Sequence, residues 1–391
     1  MFKGQYVFSQ ITDHLPLHTF RRCVERYHGE RYVKQFRCFD QYLAMSFAQL
    51  THRESLRDIE ACLKAQSSKL YHMGLRSSIS RSTLADANEQ RDWRIYADFA
   101  QALIKIARPL YAGDELGLDL KNTVYALDAS TIDLCFSVFP WALFRSTKSA
   151  VKLHTLLDLR GNIPSFIHIS EGKLHDVNAL DMIIPEAGSF YVMDRAYLDF
   201  ERLFSLNNSG AFFVIRSKNN ILFKRRYSSP VEKTNGIRCD QTIRLTGLNT
   251  KNKYPKPLRR VKYHDNETNK TLNLLTNNEI IPAQTVADLY RYRWKVELFF
   301  KWIKQHLHIR TFFGTSENAL KSQIWIAISV YVLIAIIKKQ LKIKAELYTI
   351  LQVLSLTLFE KIPLEQLLGN SHYMEHTREN AIQLNLFDNL T

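Results

Sequence analysis

Residues 290–304 read YRYRWKVELFFKWIK and place polar side chains at regular intervals in an otherwise apolar helix pattern. Each residue of an α-helix turns by about 100°. If Tyr290 is set at zero, Arg293 falls at about 300° and Glu297 at about 340°. Lys304 falls at about 320°, so the four side chains form one stripe over roughly one sixth of the circumference. One acid among cations on a single line is suited to contacts with phosphate groups.

Two interpretations of this stripe are open from the segment alone. An ordinary solvent face would explain it, with Glu297 and Lys301 paired one helical turn apart. A phosphate-handling site would explain it as well, with the acid positioned between the cations. The choice depends on whether other acids of the chain converge on Glu297.

Two further acids stand where predicted strands end, since Asp128 follows VYAL and Asp194 follows FYVM. Functional side chains collect at strand ends because the strands hold them rigidly while the adjoining loops leave room for a substrate. Each aspartate alone could be a turn former or a helix cap. Together with Glu297 they supply the carboxylate oxygens that Mg²⁺ or Mn²⁺ prefers, and two such ions about 3.5–4 Å apart can cleave a phosphodiester.

The charge balance of the chain favours a polyanionic partner. Its 391 residues carry 53 Lys and Arg against 38 Asp and Glu, a net charge of +15, which suits nucleic acid or an anionic membrane surface. Nucleic acid is the preferred interpretation, because the longest apolar run, from Ile324 to Ile337, is too short for a membrane span and is predicted to be a buried helix. The start of the chain has no apolar core of signal-peptide type.

The cysteines and histidines indicate neither a disulfide framework nor a zinc site. The five cysteines form no C-x-x-C pair, and the 13 histidines form no H-E-x-x-H arrangement. A reduced, cytoplasmic protein without membrane association is therefore expected.

The periodicity changes from helical to strand-like after the first 110 or so residues. Before that point apolar residues recur at three- and four-residue steps, and Thr51 with Glu54 forms a T-x-x-E pattern that predicts a helix start. After it, Arg160-Gly161-Asn162 predicts a hairpin between two strands. The predicted order is βββαβαβ, with strands at 123–136, 151–160, 163–172, 189–194 and 211–217, a short helix at 176–184 and a second helix around YLDFERLFSL. A basic, turn-rich stretch with the β-like pieces TIRLTG and TLNLLT follows at 218–282 and is interpreted as an insertion.

The spacing Tyr290-x₂-Arg293-x₃-Glu297-x₆-Lys304 resembles the Y-x₂-R-x₃-E-x₆-K signature of bacterial insertion-sequence transposases of the DDE class, in the insertion-sequence-four family. All four positions match. The family's two other acids correspond to Asp128 in ALDAST and Asp194 in VMDRAYLD, so the resemblance extends over most of residues 120–310.

The resemblance implies roles for the matched residues. Asp128, Asp194 and Glu297 would be catalytic and would hold two Mg²⁺ or Mn²⁺ ions. DNA contacts are implied for Arg195, Tyr290, Arg293 and Lys304.

The resemblance also implies a fold and a division of the chain. The fold is α/β, a ribonuclease H-like catalytic core with a β-rich insertion, preceded by a helical DNA-binding domain. The expected regions are a helical DNA-binding region at 1–115, the core at 120–217 and 283–312, the insertion at 218–282, a C-terminal helical region at 313–375 and a tail at 376–391.

The implied function is that of a transposase. It would bind the terminal inverted repeats of an insertion sequence and catalyse metal-dependent strand cleavage and strand transfer. Its expected partners are double-stranded DNA, both ends and target, and a second copy of the chain in a homodimer on DNA, in the bacterial cytoplasm at the nucleoid. Two alternatives remain open: a catalytically silent DNA-binding regulator, and a metal-dependent nuclease that cuts without joining, because both reactions use the same carboxylates.

The C-terminal tail contains a short motif of a different kind. Gln383-Leu384-Asn385-Leu386-Phe387 resembles the Q-L-[SD]-L-F pentapeptide by which bacterial DNA-processing proteins dock on the replicative sliding clamp. Leu384, Leu386 and Phe387 would be apolar anchors, and Gln383 would offer amide hydrogen bonds. Packing of these side chains onto the protein's own C-terminal helices is the alternative.

Overall fold

A computed structural model describes residues 4–369 except 77, 147, 219, 267 and 307–311. The chain divides into two compact units. The helical unit combines the residues up to Leu110 with those from Asn318 onward, and the sheet unit comprises the segment from Tyr111 to Gln305.

The helices alternate with strands only in the middle of the chain. The α-helices of the described residues are α1 Val7–Thr12, α2 Leu17–Arg26, α3 Cys38–Leu50, α4 Leu56–Ala65, α5 Arg81–Gln90, α6 Arg94–Tyr111, α7 Phe200–Asn208, α8 Thr250–Lys253, α9 Ala283–Tyr292, α10 Trp294–His306, α11 Glu317–Gln340, α12 Leu347–Thr357 and α13 Leu364–Gly369. The strands are β1 Val124–Leu134, β2 Leu143–Arg145, β3 Lys148–Asp158, β4 Ile163–Glu171, β5 Phe190–Met193, β6 Phe212–Arg216, β7 Phe223–Ser229, β8 Ile237–Leu245, β9 Leu258–Asp265 and β10 Lys270–Thr276.

The core of the helical unit forms around α11. By length and composition this helix could cross a membrane, yet 94% of its most apolar 18-residue stretch is buried inside the protein. Ser329 of α11 donates a hydrogen bond to the Tyr42 hydroxyl of α3 at 3.1 Å. The prediction of a buried helix at Ile324–Ile337 is therefore confirmed, and this helix packs with the N-terminal helices.

One predicted helix start is wrong. The N-cap of α4 is Ser55, whose Oγ accepts a hydrogen bond from the Asp58 amide at 3.1 Å. Thr51 instead ends α3, where its hydroxyl donates to the Phe47 carbonyl at 2.8 Å. The T-x-x-E spacing was insufficient because Ser55, four residues after Thr51, is also a favourable N-cap residue and is the one that caps the helix.

A single ten-stranded sheet organises the sheet unit. Its order is β2-β3-β1-β5-β6-β10-β9-β8-β7, with β4 also paired to β3. Strands β1, β5 and β6 run parallel to one another, and the other pairings are antiparallel. Strand β8 contains the first four residues of the predicted piece TIRLTG, and β10 contains TLNLLT. Because β10 pairs with β6, the strands of the predicted insertion extend the same sheet.

The hairpin between β3 and β4 was predicted correctly. Asp158 pairs with Ile163, and the loop between them contains two residues in the left-handed region, Gly161 at φ 73° and Asn162 at φ 55°. A Cβ at Gly161 would lie 2.3 Å from the ring of Tyr111, so both the backbone and the neighbouring aromatic ring require glycine here.

Candidate active site

The register of two parallel strands brings two of the predicted acids together. Leu127 of β1 lies opposite Met193 of β5. Asp128 follows Leu127 within β1. Asp194 follows Met193 and is the first residue beyond the end of β5. The four residues of β5 are fully buried, so the strand holds Asp194 at a fixed position beside β1. The strand-end prediction is therefore confirmed for Asp194 and wrong for Asp128, which lies inside the 11-residue strand β1, one residue after its pairing with β5 stops. The pairing of β1 with β3 continues to Leu134 and keeps β1 extended beyond Asp128.

The helix that carries the third acid is not continuous, contrary to prediction. Residues 290–304 were expected to form one helix, but α9 ends at Tyr292 and α10 begins at Trp294. At the junction the Arg293 amide bonds to the Tyr290 carbonyl, and the Val296 amide bonds to the Arg293 carbonyl. These three-residue steps tighten the backbone locally.

Arg293 joins the helices to the first strand. Its Nη1 lies 2.8 Å from Asp128 Oδ2, and its Nη2 lies 2.6 Å from Glu297 Oε1. Its side chain is only 15% exposed. Glu297 therefore pairs with Arg293 rather than with Lys301, which decides against the simple solvent-face interpretation of the stripe.

Tyr290 provides the corresponding contact to the second strand. Its buried hydroxyl donates to Asp194 Oδ1 at 3.0 Å, and the Arg293 guanidinium lies 5.7 Å from the centre of its ring. Hydrogen bonds from Tyr290 and Arg293, joined by the cation–π contact between these two residues, connect the three acids Asp128, Asp194 and Glu297, which we call the acid cluster.

Burial dominates the electrostatics of the acid cluster. The pKa of Asp128 is raised to about 6, first by burial and further by the negative charges of Glu297 and Asp194, against the opposing effect of Arg293. Burial also raises the pKa of Tyr290 to about 12, so its hydroxyl remains protonated as a donor to Asp194. The pKa of Arg293 is raised despite burial because Asp128 and Glu297 stabilise its positive charge.

Carboxylate oxygens are the ligands that Mg²⁺ and Mn²⁺ prefer. In the acid cluster, however, the Arg293 guanidinium lies between the carboxylates of Asp128 and Glu297. Arg293 contacts both Asp128 and Glu297, and Asp128 Oδ1 accepts the Ala129 amide at 2.8 Å. Among the described residues, no three His, Cys, Asp or Glu side chains are grouped closely enough to hold an ion. An ion shared by Asp128 and Glu297 therefore requires Arg293 to move away.

The two remaining predicted DNA-contacting residues lie apart from these hydrogen bonds. Arg195 is exposed and begins a short 3₁₀ turn directly after Asp194. Lys304 is exposed near the end of α10. Within the described part of the chain, neither forms a salt bridge with the acid cluster. The predicted clamp motif, Gln383 to Phe387, lies outside the described residues.

Tyr197 is a member of this site that the sequence interpretation missed. Its side chain is fully buried, and its amide bonds to the Asp194 carbonyl at 3.0 Å, closing the turn after β5. Burial, followed by the negative charge of Asp128, raises its pKa far above the usual range. The available signal was its position three residues after Asp194, in VMDRAYLD.

The comparisons with known proteins agree with this geometry. Residues 119–333 match a family described as "Transposase DDE domain", and residues 3–76 match a "Domain of unknown function (DUF4372)". A protein of Sinorhizobium fredii whose name describes a transposase, y4zB, is 31% identical over 71% of this chain and 77% of its own. A protein of Geobacillus stearothermophilus, named as a transposase for insertion sequence element IS5377, is 32% identical over 55% of this chain and 57% of its own.

A solved structure of the piggyBac transposase synaptic complex with hairpin DNA aligns with 96% of this chain and 80% of that chain. The TM-score is 0.43 and the identity 11%, a likeness too distant to support an argument.

The transposase family model covers more than half of the chain, and y4zB is a relative over most of its length. The chain therefore belongs to the DDE transposase family. It is a transposase of the kind encoded by insertion sequences, an enzyme that cleaves DNA and transfers strands, and its family uses divalent metal ions.

Proposed function

We propose that Asp128, Asp194 and Glu297 are the catalytic acids of this transposase and that they lie in a ribonuclease H-like core. The observation that carries the proposal is their convergence from two adjacent parallel strands and one helix, through Arg293 and Tyr290. Three antiparallel strands followed by two parallel ones, β1-β3-β4 and then β5-β6, support the fold assignment.

The acid cluster would hold two Mg²⁺ or Mn²⁺ ions. When bound, such ions activate the attacking oxygen and stabilise the leaving one, with water as the nucleophile for cleavage and the 3′-OH of the cleaved end for joining. The work of the chain itself is positioning. Strands β1 and β5 fix the two aspartates, and Tyr290 orients the Asp194 carboxylate by its 3.0 Å hydrogen bond.

Arg293 acts as a mobile counter-charge. Without DNA it neutralises Asp128 and Glu297. The scissile phosphate is a competing anion and can accept two parallel hydrogen bonds from the same guanidinium. Transfer of Arg293 to the phosphate would leave both carboxylates ready for metal, so DNA binding and metal binding would favour each other.

Exposed cations supply the remaining DNA contacts. Arg195 and Lys304 flank the acid cluster in sequence and are solvent-accessible. Strand β7 is the edge of the sheet, and its residues from Phe223 to Ser228, with the basic run Lys224-Arg225-Arg226, are all exposed. Such a strand can track a phosphate backbone without reading its sequence.

The DNA recognised by this enzyme would be the terminal inverted repeats of its element, in a cytoplasmic complex at the nucleoid. Joining two ends in one reaction favours a homodimer on DNA. Docking on the sliding clamp through Gln383, Leu384, Leu386 and Phe387 would bring the enzyme to replicating DNA. Clamp binding by a peptide of residues 380–391 tests this docking, and equal binding after Leu386→Ala with Phe387→Ala would exclude it.

The direct test uses a duplex that carries one element end. The proposal predicts Mg²⁺-dependent cleavage at the end and joining of pre-cut ends to a target duplex. Binding without cleavage under any metal would support the silent regulator instead. Cleavage without joining of pre-cut ends would support the nuclease.

A further inference from the structure

A second charged site lies within the helical unit, between α2 and the start of α3. It is a cavity of about 690 Å³, within the range of about 300–1,000 Å³ that is typical of ligand sites. Phe20 and Val24, both buried, and the half-buried Phe39 give it an apolar lining. Four arginines also line it, and we call it the arginine cavity: Arg21, Arg31, Arg37 and Arg76.

The arginines of this cavity are not consumed by carboxylates of the protein. Within the described ranges, none of the four forms a salt bridge. The guanidinium of Arg91, which is outside the cavity lining, is instead used within the protein. It donates to the Arg37 carbonyl at 2.8 Å and to Gln41 Oε1 at 2.9 Å. Asp40, a buried acid of the cavity, accepts the Arg37 amide at 2.7 Å. The guanidinium groups of Arg21, Arg37 and Arg76 are therefore available to an external anion, while that of Arg31 contacts Tyr32.

The remaining lining favours a nucleotide over a bare phosphate. Glu25 and Glu30 are exposed carboxylates on the cavity wall. One oxygen of Glu30 accepts the Cys38 amide at 3.2 Å, so Glu25 and the second oxygen of Glu30 are the acceptors for the exocyclic amino group of a base. The apolar lining offers a surface for the face of a base. Guanidinium, carboxylate and aromatic groups in one cavity thus match the phosphate, the edge and the face of a nucleotide.

Tyr32 adds a stacking surface next to the cavity. Its side chain is 86% exposed, and its backbone has φ 62°, a left-handed conformation that is strained for an aromatic residue. Arg31 donates to its hydroxyl at 3.1 Å and lies 5.0 Å from its ring centre. An exposed aromatic ring beside a cation is suited to stacking with an unpaired base.

We infer that the arginine cavity and Tyr32 bind an unpaired nucleotide of the DNA on which the enzyme acts. The base enters the apolar part of the cavity, the flanking phosphates contact the arginines, and the neighbouring base stacks on Tyr32. The inference rests on the proposed function, and it assigns a single-strand-binding role to residues 3–76, the domain of unknown function.

The test compares two duplexes of the same sequence by fluorescence anisotropy with the full chain, one blunt and one with a three-nucleotide unpaired 3′ overhang. The overhang should tighten binding by about tenfold. Tyr32→Ala and Arg21→Ala should each remove most of this preference. Two matched controls should retain it: Tyr71→Ala, where the tyrosine is 80% exposed, and Arg22→Ala, where the arginine is exposed on α2 outside the cavity lining.

A third duplex, with an abasic overhang, separates base binding from phosphate binding. It should bind no more tightly than the blunt duplex. Equal affinity of the wild type for all three duplexes would overturn this inference alone, as would an abasic overhang that binds as tightly as the natural one. Binding to none of them would contradict the proposed function itself.

Discussion

The acid cluster and the arginine cavity are both rich in charge, but their charges find partners in different places. In the acid cluster, Arg293 lies within 2.8 Å of two carboxylates and is largely buried. In the arginine cavity, the guanidinium groups have no salt bridge among the described residues. The charges of the acid cluster are paired within the protein, whereas those of the arginine cavity can pair with a ligand.

This difference indicates how the two regions use DNA. In the acid cluster, strands β1 and β5 hold the two aspartates in place before DNA binds, so that on the proposed mechanism Arg293 is the group that has to move. A surface of unpaired cations gains affinity from counterion release and little from exact geometry. Changes in the acid cluster should therefore affect reaction rate, whereas changes in the exposed cations should affect affinity and its dependence on salt.

The largest effect should come from salt. If Arg and Lys of the helical unit and of residues 218–262 neutralise six or more phosphates, DNA affinity should fall by about a thousandfold between 50 and 200 mM salt. Titration of a labelled duplex by anisotropy measures this slope. A flat response would mean that the exposed cations do not contact DNA, and the contrast between the two regions would disappear.

The stability of the sheet unit should depend on pH, through the buried side chain of His154. His154 is fully buried on β3 with its Nε2 bonded to Ser170, near His168, Lys152 and Asp176, and burial lowers its pKa from 6.5 to about 4. The unfolded chain then binds more protons than the folded one in this window. The stabilisation is complete above about pH 6.5 and is lost as pH falls towards 4, by up to about 3 kcal/mol.

Chemical denaturation at several pH values measures this contribution. His154→Gln should flatten the pH dependence of the unfolding free energy between pH 6.5 and 4. An identical dependence in wild type and variant would show that His154 titrates normally.

Arg293 should matter for rate more than for affinity. Arg293→Ala should lower cleavage by about 100-fold and DNA affinity by no more than about threefold, because it removes one contact at the scissile phosphate. Arg202→Ala is the control, since Arg202 is also ion-paired, to Asp181 at 2.7 Å, but belongs to α7. Equal losses of cleavage and affinity would make Arg293 an ordinary affinity contact.

Arg293 can also be tested without any reaction. If its guanidinium competes with metal for Asp128 and Glu297, Arg293→Ala should bind Mn²⁺ at pH 8 in the absence of DNA at least about tenfold more tightly than wild type. Calorimetry or electron paramagnetic resonance measures the affinity. Unchanged or weaker Mn²⁺ binding would contradict the counter-charge role.

Lys304 should show the smallest effect. Lys304→Ala should reduce cleavage by about tenfold through loss of one phosphate contact. Lys301→Ala, an equally exposed lysine on the same helix, should change it little. If the two variants cleave at the same rate, Lys304 makes no specific contact with the scissile strand.

The sequence predicted the acid cluster better than the details that connect it. Asp194 could be placed at a strand end because β5 is a short buried strand that stops directly before it, whereas Asp128 lies inside β1, whose length is set by its pairing with β3. The break at Arg293 was not predictable from helical periodicity, because the apolar pattern continues through it and the contact of Arg293 with Asp128 joins residues far apart in the sequence. The arginine cavity was missed for a similar reason: Arg21 and Arg76 belong to separate segments, and only tertiary packing brings them to one cavity.

The proposed role of Asp128 as a catalytic acid is tested by the rate of Mg²⁺-dependent cleavage of an end-bearing duplex by two single variants. Asp128→Ala should abolish cleavage, with a loss of at least about a thousandfold, while duplex binding is preserved. Asp133→Ala, which changes an exposed aspartate on the same strand β1, should cleave at the wild-type rate. Normal cleavage by Asp128→Ala, or an equal loss of cleavage in both variants, would contradict a catalytic role for Asp128.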